Sequence, residues 1–489
     1  MKIFDDILKN GVKNHPERTA LFTPRGSLSY AELDRLSSGF AELLRKSGAK
    51  LGDRVALCIK NPLRFMPAFF GAVRCGCVCV PVNGFLKEGS KRQIIDSANC
   101  RFVIGEQDGG TGAKFIPIRL AKPQKSDGVS PLSEKDTAVI LFTSGSTAAP
   151  KGVCLSQKAM LSNAKALTET FGEFHGEGLC LALPLFHSFG LQVALSYLYM
   201  GETVCIPETS DFEGINALCR LHRITDITTV PAVFGRLLSG DCRGFSKEIG
   251  FCIVGGARVE AKLTDELSER LKNARVLVGY GLTENSPVVS CLTVGKGPKG
   301  SVGKPINGVF AEISQSGEIE VGGSCVMNGY LNEKGEEIPL KYAKVKTGDL
   351  GHFENGFLFV DGRIKDIIIK GGESISAEKI SAAALLCGAS EAAAVSVPDS
   401  EYGENNNLCK TKRPETVRFR VFLARREGFE PPAFWSVGCL KGKSEPFRLR
   451  FVLFTAVHSA DFPLFPPRPA CSGSVLGQNW VKRSPAEYR

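Results

Sequence analysis

The residues of this chain best suited to chemistry begin at the segment TSGSTAAPKG, residues 143–152. Thr143, Ser144, Ser146 and Thr147 offer hydroxyl donors. Gly145 lets the backbone turn its N–H groups toward a ligand, and Lys151 adds a full positive charge. Together these groups suit a phosphate. The order is not that of a Walker A loop, because Lys151 precedes Gly152 and no hydroxyl follows. The apolar run TAVILF, 137–142, predicts a buried strand feeding the loop. On these residues alone, a Ser/Thr/Gly surface turn remains an alternative.

Other candidates occur further along. CIVGGA (252–257) and VLVGYGLTE (276–284) are also strand-then-glycine segments. Ligands of open α/β sheets sit at the carboxyl ends of strands, so these segments and 143–152 are expected to converge on one crevice. Each has a plain alternative. Gly255-Gly256 can be a tight turn after a strand. Thr283-Glu284 in isolation is a helix start, with Glu284 favouring the dipole. Asp349 can be the turn residue of TGD, and a lone histidine such as His187 is more often structural.

Such residues need elements to hold them. SYAELDRLSSGFAELLRKSG places Leu33, Leu36, Phe40 and Leu43/Leu44 at helical spacing, with Ser29 as N-cap and a stop at Gly48. DRVALCI (53–59), CVCVPV and TDITTV read as strands, and PAFFGAVRCG reads as a helix. Alternating strands and helices predict an α/β protein with a largely parallel sheet. From about residue 300 the texture becomes β-rich. Hairpins are expected with turns at Ser316-Gly317 and Asn355-Gly356. ISAEKISAAALLCG then reads as a helix and EAAAVSVPD as a strand.

Composition excludes several classes. With 489 residues, 43% hydrophobic and 23% charged, the chain is long enough for more than one domain. No apolar run reaches membrane-spanning length; the nearest, 65–82, is broken by Arg74, two glycines and two prolines. The N-terminus, MKIFDDILKN, has no signal-peptide pattern, so a cytoplasmic location is expected, with peripheral contact at a membrane surface left open. The seventeen cysteines show no metal-site spacing, and Cys75, Cys77 and Cys79 are expected on one side of a strand as reduced, buried thiols. Charge is uneven: residues 406–489 hold 15 Lys/Arg against 6 Asp/Glu, whereas residues 1–405 are near balance, at 46 against 45. The same 84 residues contain nine prolines, nine phenylalanines and both tryptophans. That mixture is neither a tidy core nor a typical disordered tail.

Three segments together, TSGSTAAPKG (143–152), GYGLTENS (279–286) and TGDLGHFENGFLFVDGRIKDIIIKGG (347–372), resemble in order and spacing the signatures of the adenylate-forming, AMP-binding superfamily. Its members include acyl-CoA synthetases, peptide-synthetase adenylation domains and luciferases. The resemblance covers roughly residues 1–405. LPLFHSFGL, 183–191, is most similar to the fatty-acyl-CoA and acyl–carrier-protein synthetase branches. The resemblance implies a large multi-layer α/β N-terminal domain with a β-rich subdomain at 1–364. It also implies the start of a small α+β C-terminal lid domain at 365–405, and sets 406–489 outside the family.

The implied reaction has two steps. A carboxylate attacks the α-phosphate of ATP, giving acyl-AMP and pyrophosphate. The thiol of CoA, or of a carrier-protein pantetheine, then displaces AMP. By resemblance, residues 143–152 grip the β- and γ-phosphates, and Thr283 contacts the α-phosphate. Glu284 holds Mg²⁺, a hard ion suited to oxygen ligands and phosphates. Asp349 accepts the ribose hydroxyls, and Arg363 is a second ribose or phosphate contact. Gly255, Gly256 and Ala257 resemble the adenine slot, with Tyr280 stacking on the ring, and Gly281 belongs with the nucleotide-binding residues. His187 is the gate at the acyl tunnel. Lys365 matches the hinge between the two half-reactions, and Gly371 and Gly372 line the pantetheine tunnel. The implied partners are a small carboxylic acid and CoA or acyl carrier protein, with no nucleic acid.

Two departures stand out. Ala148 replaces a glycine of the phosphate loop. The lysine that normally bridges carboxylate and α-phosphate from the C-terminus has no match, since LKGKSEP (440–446) lacks its context. VPDSEYGE (397–404) still resembles the family, and then the similarity ends. The expectation is a frameshift or read-through near Asn405; a divergent basic tail for nucleic acid or anionic membrane is the alternative. DNA sequence across codon 405 decides between them, an intact frame in independent clones excluding the frameshift. A non-catalytic nucleotide- or acyl-binding protein is the rival to an enzyme, since the expected lysine is missing.

Overall fold

The structure is a computed structural model. It describes residues 3–108, 110–125, 131–143, 150–172, 177–240, 248–370, 373–377, 380–381, 393–399, 403–409, 418–421, 434–436 and 453–455. The chain divides into two compact units, Met1–Asp366 and Ile367–Arg489.

The helix expected from the leucine spacing runs over Tyr30–Lys46. Ser29 closes it with a capping box: the Glu32 N–H donates to Ser29 Oγ at 3.2 Å, and the Ser29 N–H donates to Glu32 Oε2 at 2.8 Å. Its stripe of Leu33, Leu36, Phe40 and Leu44 is buried. Gly71, on the Pro62–Arg74 helix, lets the two helices approach, because a Cβ there would lie 2.6 Å from the Ser37 carbonyl oxygen.

Two sheets carry the first unit. The smaller has eight strands, and its inner members Arg54–Cys58, Val78–Pro81 and Phe102–Gly105 are parallel. On its other side Thr137–Thr143 pairs antiparallel with Lys151–Ser156, which in turn pairs with Gly329–Leu331. The larger sheet has thirteen strands. Asp226–Thr229, Phe251–Val254 and Arg275–Gly281 lie side by side and parallel at its centre. The expected hairpins are present at its edge. Val309–Ile313 pairs with Glu318–Gly323, and Lys344–Glu354 pairs with Phe357–Arg363. Gly317, Asn355 and Gly356 take the positive φ values those turns require, 80°, 50° and 79°. The β-rich segment is thus joined to the α/β sheet through Ser301–Pro305, which pairs with both Val288–Thr293 and Phe357–Arg363.

One expectation fails. Cys75, Cys77 and Cys79 do not share a strand: the helix continues to Arg74, Cys75 caps its C-terminus, and the strand begins at Val78. Alternation with small residues imitated a strand where the chain turns through Gly76 at φ 84°. All three cysteines are buried free thiols, as expected.

In the second unit Ala393–Asp399 pairs antiparallel with Gly403–Cys409. The latter runs through Asn405 and pairs on its other edge with Arg418–Val421. The strand pairing therefore continues past the point where the family texture stops. Most of the expected helix at 375–388 lies outside the described residues.

Candidate active site

The phosphate-loop candidate is the connection of a hairpin. Thr143 and Lys151 are register partners at its base, as are Phe142 and Gly152. Ser144, Gly145, Ser146, Thr147 and Ala148 lie outside the described residues. Lys151 is exposed, with its ammonium 5.7 Å from the centre of the Tyr330 ring, within cation–π reach. Gly152 is buried, and a Cβ there would meet Leu331 Cδ1 at 2.8 Å. Its smallness thus serves strand packing beneath the loop.

The second group follows the Arg275–Gly281 strand. Thr283-Glu284-Asn285 form one 3₁₀ turn. Thr283 and Ser188 share a hydroxyl–hydroxyl hydrogen bond of 3.0 Å. Tyr330 donates its phenol to Glu284 Oε1 at 2.8 Å, and the Met327 N–H donates to the Glu284 carbonyl at 2.9 Å. Burial and the Glu284 charge push the Tyr330 phenol well above its usual range, so it stays a donor. Gly281 has a backbone role: a Cβ there would sit 2.1 Å from the Pro287 carbonyl oxygen.

The third group is built on the Lys344–Glu354 hairpin, where Asp349 and Arg363 are register partners. Asp349 is 6% exposed. Its Oδ1 accepts from Arg363 Nε at 3.1 Å and its Oδ2 from the Tyr280 phenol at 2.7 Å. The turn before it is fixed from both sides. The Asp349 N–H donates to Thr347 Oγ1 at 3.1 Å, and the Gly348 N–H donates to Glu318 Oε1 at 3.0 Å. Burial, the Asp349 charge and their hydrogen bond push the Tyr280 phenol well above its usual range. Arg363 keeps 72% of its side chain exposed, leaving its outer nitrogens accessible.

Gly255 and Gly256 follow the Phe251–Val254 strand, beside Gly279 on the neighbouring strand. A Cβ at Gly255 would come within 3.1 Å of both the Gly279 carbonyl oxygen and the Phe189 ring, and Gly256 has φ 78°. Ala257 is exposed beyond them. His187 is the N-cap of the Ser188–Met200 helix without a side-chain cap bond, and its ring lies 4.7 Å from that of Phe186. Desolvation holds its pKa below the usual imidazole range. Lys365 is exposed in the Ile364–Asp366 turn, and Gly371 and Gly372 lie outside the described residues.

The structure thus connects Tyr280 to Asp349 and, through it, Arg363, and Thr283 to Ser188 at the start of the helix that His187 precedes. Through Tyr330 it also connects Glu284 to Lys151. Ser188, Phe189, Glu318 and Tyr330 are absent from the sequence-derived set. Ser188 and Phe189 lie inside LPLFHSFGL beside a more conspicuous histidine. Tyr330 is an aromatic residue in a short strand, a pattern that ordinarily marks core.

This architecture and site define an adenylate-forming α/β enzyme. Residues 8–331 match the model of the AMP-binding enzyme family, and the chain belongs to that family. It is acyl-CoA synthetase-like within it. The chain is 27% identical to the oxalate–CoA ligase of Arabidopsis thaliana, over 84% of this chain and 89% of the relative. It is also 27% identical to the long-chain-fatty-acid–CoA ligase of Haemophilus influenzae, over 84% and 86%. The solved O-succinylbenzoate–CoA synthetase of Bacillus subtilis, in complex with ATP and magnesium ion, superposes with a TM-score of 0.72 at 25% identity. That match covers 82% of this chain and 88% of the other. Among the described residues no helix is long and apolar enough to cross a membrane.

Proposed function

We propose that the chain joins a carboxylic acid to CoA through an acyl-adenylate. The acid's oxygen attacks the α-phosphorus of ATP, and the bond to the β-phosphate bridge breaks, releasing pyrophosphate. The CoA sulfur then attacks the acyl carbon, and AMP leaves. The observation that carries this reading is the meeting of Lys151 and Glu284 at Tyr330. Lys151, at the start of a strand of the smaller sheet, and Glu284, on the turn after a strand of the larger one, both contact this tyrosine, and their types suit a phosphate and its hard cation.

Asp349 and Arg363 suit the ribose: the oxygens that accept from Tyr280 and Arg363 keep lone pairs for hydroxyl donors. The absence of side chains at Gly255 and Gly256 lets Phe189 and the Gly279 carbonyl approach their backbone, a close-packed edge suited to a flat ring. Among the described residues no three metal-ligating side chains cluster. Glu284 instead presents one carboxylate with Oε1 engaged by Tyr330. That donor set fits Mg²⁺, which takes one or two carboxylates and completes its shell with phosphates and water. Magnesium, when bound, would neutralise charge on the phosphates; Lys151 and the loop donors would steady the leaving pyrophosphate.

The named relatives are CoA ligases, which favours CoA over a carrier-protein pantetheine as the thiol. Their acids range from oxalate to long-chain fatty acids, so the acid is set by this chain's own pocket. The resemblance of segment 183–191 to the fatty-acyl-CoA synthetase branch supports an acid with an apolar body, fatty acids first. Carboxylate-dependent ATP–pyrophosphate exchange over short, long and aromatic acids tests this. Exchange confined to short dicarboxylic acids would replace the fatty-acid assignment.

A further inference from the structure

Tyr330 contacts Lys151 of the smaller sheet and Glu284 on the turn after a strand of the larger one. It faces Val153 across an antiparallel pair, and side chains alternate along a strand. Lys151, two residues before Val153, therefore shares a face with Tyr330 as its diagonal neighbour. That register puts the ring under the Lys151 ammonium at 5.7 Å. The phenol at the far end of the same ring donates to Glu284 Oε1 at 2.8 Å. One side chain thus touches both the loop cation and the carboxylate. The Met327 N–H, three residues earlier, holds the Glu284 backbone from the same segment at 2.9 Å. Among the described residues the other carboxylate oxygen, Oε2, carries no hydrogen bond.

We propose that Tyr330 is a positioning residue: its phenol fixes the Glu284 carboxylate so that Oε2 is presented to the nucleotide's divalent cation, while its ring seats Lys151. The inference rests on the adenylation reading, and goes beyond it by assigning part of the metal affinity to Tyr330 through its hydrogen bond to Glu284. An outer partner of a ligating carboxylate is typically worth roughly ten- to hundredfold in metal affinity.

The test uses the full chain with ATP and Mn²⁺, a spectroscopic substitute for Mg²⁺. Free and bound Mn²⁺ are counted by electron paramagnetic resonance for wild type, Tyr330→Phe, Tyr330→Leu and Glu284→Gln. Tyr330→Phe removes the hydroxyl alone. It is expected to weaken Mn²⁺ binding in the ATP complex about tenfold and to leave metal-free ATP affinity unchanged. Its exchange activity should recover at high Mg²⁺, whereas that of Glu284→Gln should not. Tyr330→Leu also unseats Lys151 and should weaken metal-free ATP binding. A purely structural role would lower the melting temperature of Tyr330→Phe and leave the Mn²⁺ affinity of the folded protein at the wild-type value. That result overturns the inference. Absence of exchange in wild type with every acid would instead count against the adenylation reading, and the Mn²⁺ comparison would still judge Tyr330.

Discussion

Asp349 shows how a single side chain carries the nucleotide hypothesis. It is buried, yet both carboxylate oxygens are engaged, by Arg363 and by Tyr280. An uncharged turn residue would need neither partner. Hydrogen bonds to a charged group are worth about 1.5–3 kcal/mol. Asp349→Asn, which keeps the shape and removes the charge, should weaken AMP binding roughly ten- to hundredfold by calorimetry. The folded signal in circular dichroism should remain. Wild-type affinity in that variant would remove Asp349 from the site. Asp349 and Arg363 are marked in the sequence by the resemblance of residues 347–372 to the family signature; on its own residues TGD reads only as a turn. Tyr330 was not conspicuous, because its meaning lies in a register with Val153 and a hydrogen bond to Glu284, 46 residues away.

At the scale of elements, the site depends on strands that end in glycine for different reasons. Gly281 has the Pro287 carbonyl oxygen 2.1 Å from where a Cβ would stand, and backbone cannot move aside cheaply. Gly281→Ala should cost about 1–3 kcal/mol in thermal denaturation and should displace the Thr283-Glu284 turn, abolishing exchange. Gly255→Ala meets the tip of the Phe189 ring and the Gly279 carbonyl oxygen only at 3.1 Å, a much milder overlap. It should leave the melting temperature near wild type and weaken AMP binding. Equal stability losses in the two variants would contradict this division of roles. The strand-then-glycine pattern was legible in the sequence because period and punctuation are local. What was not legible was that the strands Thr137–Thr143 and Lys151–Ser156 lie in a different sheet from those within 251–281, a fact of long-range pairing. Nor could spacing separate Cys75 and Cys77 from the strand of Cys79, since three alternating cysteines fit a helix end and turn equally well.

At the scale of the whole molecule, folding adds a pH dependence that no motif predicts. Asp226 begins a central strand and accepts the Tyr197 phenol at 2.6 Å. Burial pushes its pKa up to about 7, with Glu202 adding to the rise and hydrogen bonds from Tyr197 and Thr225 opposing it. An unfolded aspartate titrates near ~3.9, so the folded chain holds an extra proton between those values. The contribution of Asp226 is full below the unfolded pKa, declines as pH rises through the window, and is gone above about 7. Melting temperature should therefore fall more steeply between about pH 4 and 7 in wild type than in Asp226→Asn. Parallel profiles would contradict the assignment. The same scale holds the central claim, that the parts assembled around Lys151, Glu284 and Asp349 act together in adenylation. The most direct measurement is carboxylate-dependent ATP–pyrophosphate exchange on the full chain. Exchange that requires both an acid and magnesium is expected. ATP binding without exchange for any acid would contradict it and leave a nucleotide-binding protein on an adenylate-forming fold.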